Sequence, residues 1–421
     1  MSSATHWDII VVGGGPAGLS AAMVAAKRPG TRVLVFEREE AAGGIPRHCD
    51  HTGWGLRDLR WSYSGPSYAR RLTKLAVDAG VHILTDTTVR KVESSGEDRI
   101  VHTVSPRGIQ SYTASAVILA TGCRESTRHS LLLPGKRPLG VFNTGTLQQF
   151  VHLKRIVPGT VAVVFGSEHV AFSAVMTLNK AGMKIAAMVE PDGYPHSFLP
   201  VSWSFERWYG FRLLLNCRIV NIHGNHRLTG ITVEDTTTNR RTDLACDTLI
   251  VSGAFKPEIT LAVESNLPID PAADSVLADS FLHTERKGIF ACGNVLHGAE
   301  TGDIAALEGR WAGVQAGRYL DNRLSEPRRV RIECAAPIAW ISPGNVIAPI
   351  LDIPSFLYTM RVTRRIRNAT VVARFGDETV WKKRYGTLTP HRRIAVPVHT
   401  WTLGADPGRN DVIRLSIEEA A

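Results

Sequence analysis

The six cysteines of this 421-residue chain, Cys49, Cys123, Cys217, Cys246, Cys292 and Cys334, include no CxxC or CxC pair. That scatter argues against a disulfide framework, a zinc site or an iron-sulfur site within the chain, and it fits a reducing compartment. No stretch has 18 uninterrupted apolar residues, so no spanning helix is expected. The nearest candidate, Cys334 to Met360, carries Pro337, Pro343, Pro349 and Pro354, and it reads as an irregular packed connector. MSSATHWDIIVVGGG has neither a basic n-region nor an apolar h-region, so no secretory signal and a cytoplasmic location are expected. Basic residues outnumber acidic ones by 49 to 39, which alone does not choose between nucleic acid, a membrane surface and an acidic protein. The length allows two or three domains.

What is present begins at once. Asp8 to Val12 is a buried-strand pattern running into Gly13-Gly14-Gly15-Pro16-Ala17-Gly18 and then a helix-like LSAAMVAAKR. This is GxGxxG in its required setting. Gly13 permits the tight turn, Gly15 lets backbone approach a pyrophosphate, and Gly18 lets helix and strand pack closely, with the helix N-terminus facing the phosphates. A second strand, RVLVFE, ends at Glu37, 24 positions after Gly13, where a carboxylate can accept ribose hydroxyls. AVILATG (Ala116 to Gly122) and GIFACGN (Gly288 to Asn294) are two further buried strands closing on small-residue turns, the second followed by a helical run.

The pattern then repeats. VAVVFGSEHVAFSA runs a strand into Gly166, and Glu190 stands 24 positions later, but Glu168 replaces the second glycine and Ala171 the third. A carboxylate there would lie within a few ångströms of two phosphates. At an effective dielectric near 20, like charges about 4 Å apart repel by roughly 4 kcal/mol, about three decades of affinity. The second fold is therefore expected to be degenerate, with NAD(P) binding doubtful. A shifted loop in which His169 compensates is the alternative.

These motifs in order, GxGxxG, ATG and GN in place of a late GD, resemble the FAD-dependent pyridine-nucleotide-disulfide oxidoreductase superfamily over about residues 5 to 325. The resemblance implies an α/β fold of two Rossmann-like dinucleotide-binding domains, the second inserted in the first, plus a small C-terminal β-rich domain. It implies an FAD-binding domain at 1–125 and 280–325, an NAD(P)-like domain at 126–279, and the β-rich domain at 326–421. Around FAD it places Gly13, Gly15, Pro16, Ala17 and Gly18, then Glu37, Arg38, Gly44 and Ile45, and finally Val89, Thr121, Gly122, Gly293, Asn294 and Thr301. Asn294 takes the position of an Asp that bonds the ribityl-phosphate region; an amide can still donate and accept there.

A narrower resemblance is to the flavoprotein subunits of opine oxidase, hydrogen cyanide synthase, hydroxyproline dehydrogenase and multi-subunit glycerol-3-phosphate dehydrogenase. It rests on Gly43 to Leu72, ATGCREST (Ala120 to Thr127), Leu133 to Val151 and Gly293 to Gly309. It implies an FAD-dependent dehydrogenase or electron-transfer subunit oxidising an amine, amino-acid derivative or alcohol. The electrons would pass to a second flavoprotein or iron-sulfur subunit. An NAD(P)H-dependent reductase and a non-catalytic flavin-bearing scaffold are the alternatives. His48 and His51, just past Gly44, fall on the approach to the flavin, where a histidine can accept a proton; pinning the loop is the plainer role. Disulfide reduction is not expected, since Cys49 stands alone and Cys123 is placed as a small packed residue.

Beyond about residue 326, short runs (RVRIE, TVVARF, IAVPV, VIRLSI) separated by FGDE and DPGRN predict strands. Arg361, Arg364, Arg365, Arg367, Lys382, Lys383, Arg384, Arg392 and Arg393 make this region basic: a solvated face, or a dock for an acidic partner. Aromatic residues are too sparse among them to favour single-stranded nucleic acid.

Overall fold

The computed structural model describes residues 6–197, 199–322, 328–348, 357–401 and 412–419. β1 (His6–Val12) is buried through Ile9, Ile10 and Val11, as a strand must be when layers cover both faces of a parallel sheet. α1 (Pro16–Ala26) follows it, with Pro16 in the first turn, where no backbone N–H is needed. β1 pairs in parallel with β2 (Val33–Phe36) and, on its other side, with β3 (Gly108–Leu119). His82–Leu84 extends the sheet beyond β2. Ile289–Ala291, from far along the chain, pairs in parallel with the end of β3. The first half of β3 pairs instead with antiparallel Asp98–Ser105, and that strand with Thr88–Ser95. α2 (Gly65–Asp78) packs on α1.

The second sheet repeats this plan. α3 (Thr144–Gln148) follows the edge strand Val141–Asn143, and the sheet continues through β4 (Val161–Phe165), α4 (His169–Lys180), β5 (Lys184–Val189) and β6 (Thr248–Val251). Its order, Val141–Asn143, β6, β4, β5, Arg212–Leu214, is parallel throughout, and it carries its own antiparallel trio between Cys217 and Ala245. β4 answers β1, β5 answers β2, and β6 answers β3. α5 (Gly302–Leu320) then returns to pack along α1 in the first unit. The fold is thus the expected one of two Rossmann-like units and a β-rich C-terminal region.

That last region has a five-stranded and a three-stranded sheet around a core containing Tyr358, Met360 and Val371. RVRIE, TVVARF, IAVPV and VIRLSI all lie in or over its strands, while DPGRN falls outside the described residues. The expectation for Cys334 to Met360 needs correction: Ile338–Ser342 and Asn345–Ala348 are strands, and Tyr358–Val362 begins within it. Pro337 and Pro343 stand just outside strand ends, where a missing N–H removes no ladder bond; Pro349 and Pro354 lie outside the described residues. The region is tied to the rest by Tyr358, whose hydroxyl lies 2.8 Å from Ser280 Oγ, and by Arg329, which pairs with buried Asp279 at 2.9 Å.

Candidate functional site: two turns, one open and one closed

The first turn is built from the sheet upward. Gly13 N–H donates to Phe36 O at 2.9 Å, which fixes the turn beside the end of β2. At φ +108° a side chain on Gly13 would be strained, and its Cβ would stand 2.3 Å from Ala120 O. A Cβ on Gly18 would stand 1.9 Å from Gly13 O, so α1 lies directly on the turn. Gly15 differs: a Cβ there would meet nothing nearer than Gly44 Cα at 4.0 Å. The space beside Gly15 is open, at the start of a helix whose first turn has no acidic residue and no side-chain cap.

Of the remaining predicted residues, Glu37, Gly44 and Gly293 touch the turn or the start of α1. Glu37, buried at the end of β2, accepts from Gly14 N–H and Glu39 N–H, each at 2.9 Å. Burial raises its pKa against those two bonds. Thr87 N–H donates to Glu37 O, which brings the strand holding Val89 alongside, while Arg38 faces solvent. Ile45 is exposed at the end of the loop that carries Gly44. Thr121 Oγ1 donates to Glu258 O, and Gly122 O accepts from Glu258 N–H. Gly293 packs on Ala17 and donates its N–H to Glu308. The Asn294 amide bridges the backbone of Glu300, accepting at 3.0 Å and donating at 3.3 Å, and Thr301 precedes α5.

Two residues that sequence reasoning passed over meet at the start of α5. Trp54 lies over the first residue of α5, within about 3 Å of where a Gly302 Cβ would be, and Asp303 accepts from Gly55 N–H and Arg57 N–H. An acid in the first turn of a helix next to a glycine-flanked loop was the available signal.

His48 and His51 flank a segment stitched to the second unit. The Cys49 thiol donates to Gln148 Oε1 of α3 at 3.0 Å, and Asp50 pairs with Lys180 of α4. Burial pushes the Cys49 thiol up to about 12, so it is no thiolate. Burial, helped by Arg47 and His152, pushes His48 down to about 4, which leaves a neutral imidazole. His51 is half-buried, its Nδ1–H donating to Thr52 O, its ring 5.6 Å from that of Trp54.

The second turn starts alike and ends differently. Gly166 N–H donates to Val189 O at 2.9 Å, as Gly13 does to Phe36, and its φ is +104°. Glu168 then folds its carboxyl back over the turn. Its Oε2 lies 2.9 Å from where a Gly166 Cβ would be and its Oε1 2.0 Å from that of Gly253, so the carboxyl fills the space between the two glycines. Oε2 is buried and has no hydrogen-bond partner among the described residues. Burial, then the charge of Glu190, pushes Glu168 up to about 7, and burial does the same to Glu125, which accepts from Gly145 N–H at 2.7 Å.

Glu190, the counterpart of Glu37, is engaged by its own chain. It accepts from Ser167 Oγ and Asp192 N–H and pairs with His196 at 3.4 Å. His196 N–H donates to Ser167 Oγ and Ser197 N–H to Ser167 O, so residues 194–197 lie against the turn. The C-terminal region clamps them there. Arg392 donates to Ser197 O at 2.7 Å, the His391 ring lies 4.1 Å from that of His196, and Arg365 sits 4.7 Å over Tyr194. Of the nine basic C-terminal residues, Arg361, Arg364, Arg365, Arg392 and Arg393 therefore have partners within the chain and exposed Lys383 lies 5.2 Å over the Tyr385 ring, whereas Arg367, Lys382 and Arg384 face solvent.

Residues 7–309 match the family described as pyridine nucleotide-disulphide oxidoreductase. The chain belongs to that family. It is an FAD-dependent oxidoreductase, as the family's members are. It is 28% identical to a thioredoxin reductase of Streptomyces clavuligerus over 74% of this chain and 94% of that one. It is 25% identical to hydrogen cyanide synthase subunit HcnB of Pseudomonas protegens, over 72% of this chain and 68% of that one. The fold is that of the T. acidophilum thioredoxin reductase crystal structure, with a TM-score of 0.64 at 20% identity, covering 75% of this chain and 99% of that one. Membership implies FAD and a pyridine nucleotide. The first turn fits the former: the space a Gly15 Cβ would fill is open, and backbone donors at a helix start adjoin it. In the second turn the Glu168 carboxyl occupies the space beside Gly166 and Gly253. No helix among the described residues is long and apolar enough to cross a membrane.

Proposed function

We propose that the chain is an FAD-dependent dehydrogenase or electron-transfer subunit of a multi-subunit complex that oxidises an amine, an amino-acid derivative or an alcohol. The observation that carries this reading is the second turn, filled by Glu168 and covered by residues 194–197. A nicotinamide donor would have to displace both. The naming of HcnB as a subunit supports a multi-subunit setting.

In this reading residues 1–125 and 280–325 are the FAD-binding domain, 126–279 a degenerate NAD(P)-like scaffold, and 326–421 the clamp. FAD supplies a two-electron acceptor for C–N or C–O oxidation. Gly15 and the α1 N-terminus hold its pyrophosphate, and Glu37 its ribose. His51 accepts the proton from the substrate nitrogen or hydroxyl; His48, a weak base at about 4, positions the loop. The described cysteines are all free and lie in no adjacent pair, so electrons leave through another subunit. Lys382, Lys383 and Arg384 offer that subunit a basic edge.

The test is to purify the chain with its complex and supply amino acids, opines and polyol phosphates with a dye acceptor under anaerobic conditions. Dye reduction driven by one of these supports the reading. Dye reduction driven by NADH or NADPH alone would replace it with the second reading, an NAD(P)H-dependent flavin reductase, which the thioredoxin reductase likeness favours.

A further inference from the structure

Away from the first turn, three donors converge at the clamp. His196 Nε2 lies 3.0 Å from Asp192 Oδ2 and 3.4 Å from Glu190 Oε1, and all three atoms lie within 4.8 Å of one another. Ligands sharing one zinc-sized ion at about 2.0–2.2 Å stand roughly 3.3–3.6 Å apart in tetrahedral geometry. His196 Nε2 thus faces both carboxylates, the arrangement that an ion held among the three would also produce. His196 is 5% exposed, and its Nδ1 has no partner among the described residues.

The C-terminal region lies beside this cluster: the His391 ring stands 4.1 Å from that of His196, centroid to centroid, edge to face. Glu190 and His196 are buried, while the Asp192 side chain is 51% exposed, which gives a hydrated ion a way in. Two carboxylates and one imidazole, without thiolate, suit zinc-class ions; the imidazole disfavours magnesium and calcium.

We propose that Glu190, Asp192 and His196 hold one divalent ion of the zinc class beside the closed second turn, with water completing its coordination. This does not rest on the dehydrogenase reading, since the ligands lie apart from the first turn.

The full chain, stripped with chelator and dialysed, is titrated with Zn²⁺ alone by calorimetry and with Co²⁺ by visible absorption. One equivalent should bind at micromolar concentration or tighter, with the intense visible bands of four-coordinate Co²⁺ and a raised unfolding midpoint. Asp192→Asn and Asp192→Ala, at an accessible position, should each weaken binding at least tenfold and remove most of the midpoint shift. Exposed His129→Ala should change neither. Absence of binding up to about 100 μM Zn²⁺, or binding that both Asp192 variants leave intact, would overturn the proposal.

Discussion

Two turns with the same strand, the same entry hydrogen bond and the same positive φ end in opposite states. Beside Gly15 there is room for a ligand; at the matching position Glu168 brings its own carboxyl into the room. The acids at the next strand ends diverge too. Among the described residues the Glu37 carboxyl accepts from two backbone N–H groups, Gly14 and Glu39, whereas Glu190 is enclosed by Ser167, Asp192 and His196. Keeping a fold and keeping its site are thus separate demands. The strands and glycines of the turn answer to packing, and the residue two positions on answers to the ligand.

The largest expected effect breaks the symmetry directly. Gly15→Val should fold, because its Cβ meets no protein atom closer than 4.0 Å, but it should lose bound flavin more than about tenfold after gel filtration. Val at the matching position, Glu168→Val, should leave flavin content unchanged. Equal flavin loss in both would mean that the two turns share one site.

A second contrast lies in pH. Glu168 and Glu125 titrate near 7 in the folded chain but near 4.5 when unfolded, so between those values the folded state binds more protons. Stability should therefore fall as pH rises from about 4.5 to 7, by at most about 1.4 kcal/mol per pH unit for each group, and level off above 7. Glu168→Gln removes one of the two groups and should flatten the fall in urea unfolding between pH 5 and 8. An unaltered slope would show that the buried carboxyl stays ionised.

The smallest effect concerns the basic edge. Charge reversal at Lys382, Lys383 and Arg384 should weaken association with the partner subunit modestly, and salt should weaken the wild-type complex in the same direction as the screening length shrinks from about 10 Å at 0.1 M to about 3 Å at 1 M. Association indifferent to both would remove this surface from the account.

Much of this was legible in the chain. The strand–Gly–helix–strand–acid order located the first turn, and the equal spacing to Glu37 and Glu190 revealed the repeat. Local pattern suffices when neighbours in sequence are neighbours in space. The direction of the Glu168 side chain was not legible, because Gly253, against which it lies, is remote in sequence. The inward duties of Arg361, Arg392 and Arg393 were hidden for the same reason: a solvated arginine and one that bonds a distant carbonyl read alike. The strands on either side of Pro343 were missed because proline was read as ending regular structure rather than marking its borders.

The most direct test of the central claim, that the first fold holds FAD while the second is closed to nicotinamide, is anaerobic mixing of the yellow holoprotein with NADH or NADPH in a stopped-flow spectrometer. The account predicts that neither nucleotide bleaches the flavin rapidly at concentrations well above those that saturate ordinary nicotinamide sites. Rapid, saturable bleaching of the wild-type protein by either one would contradict it.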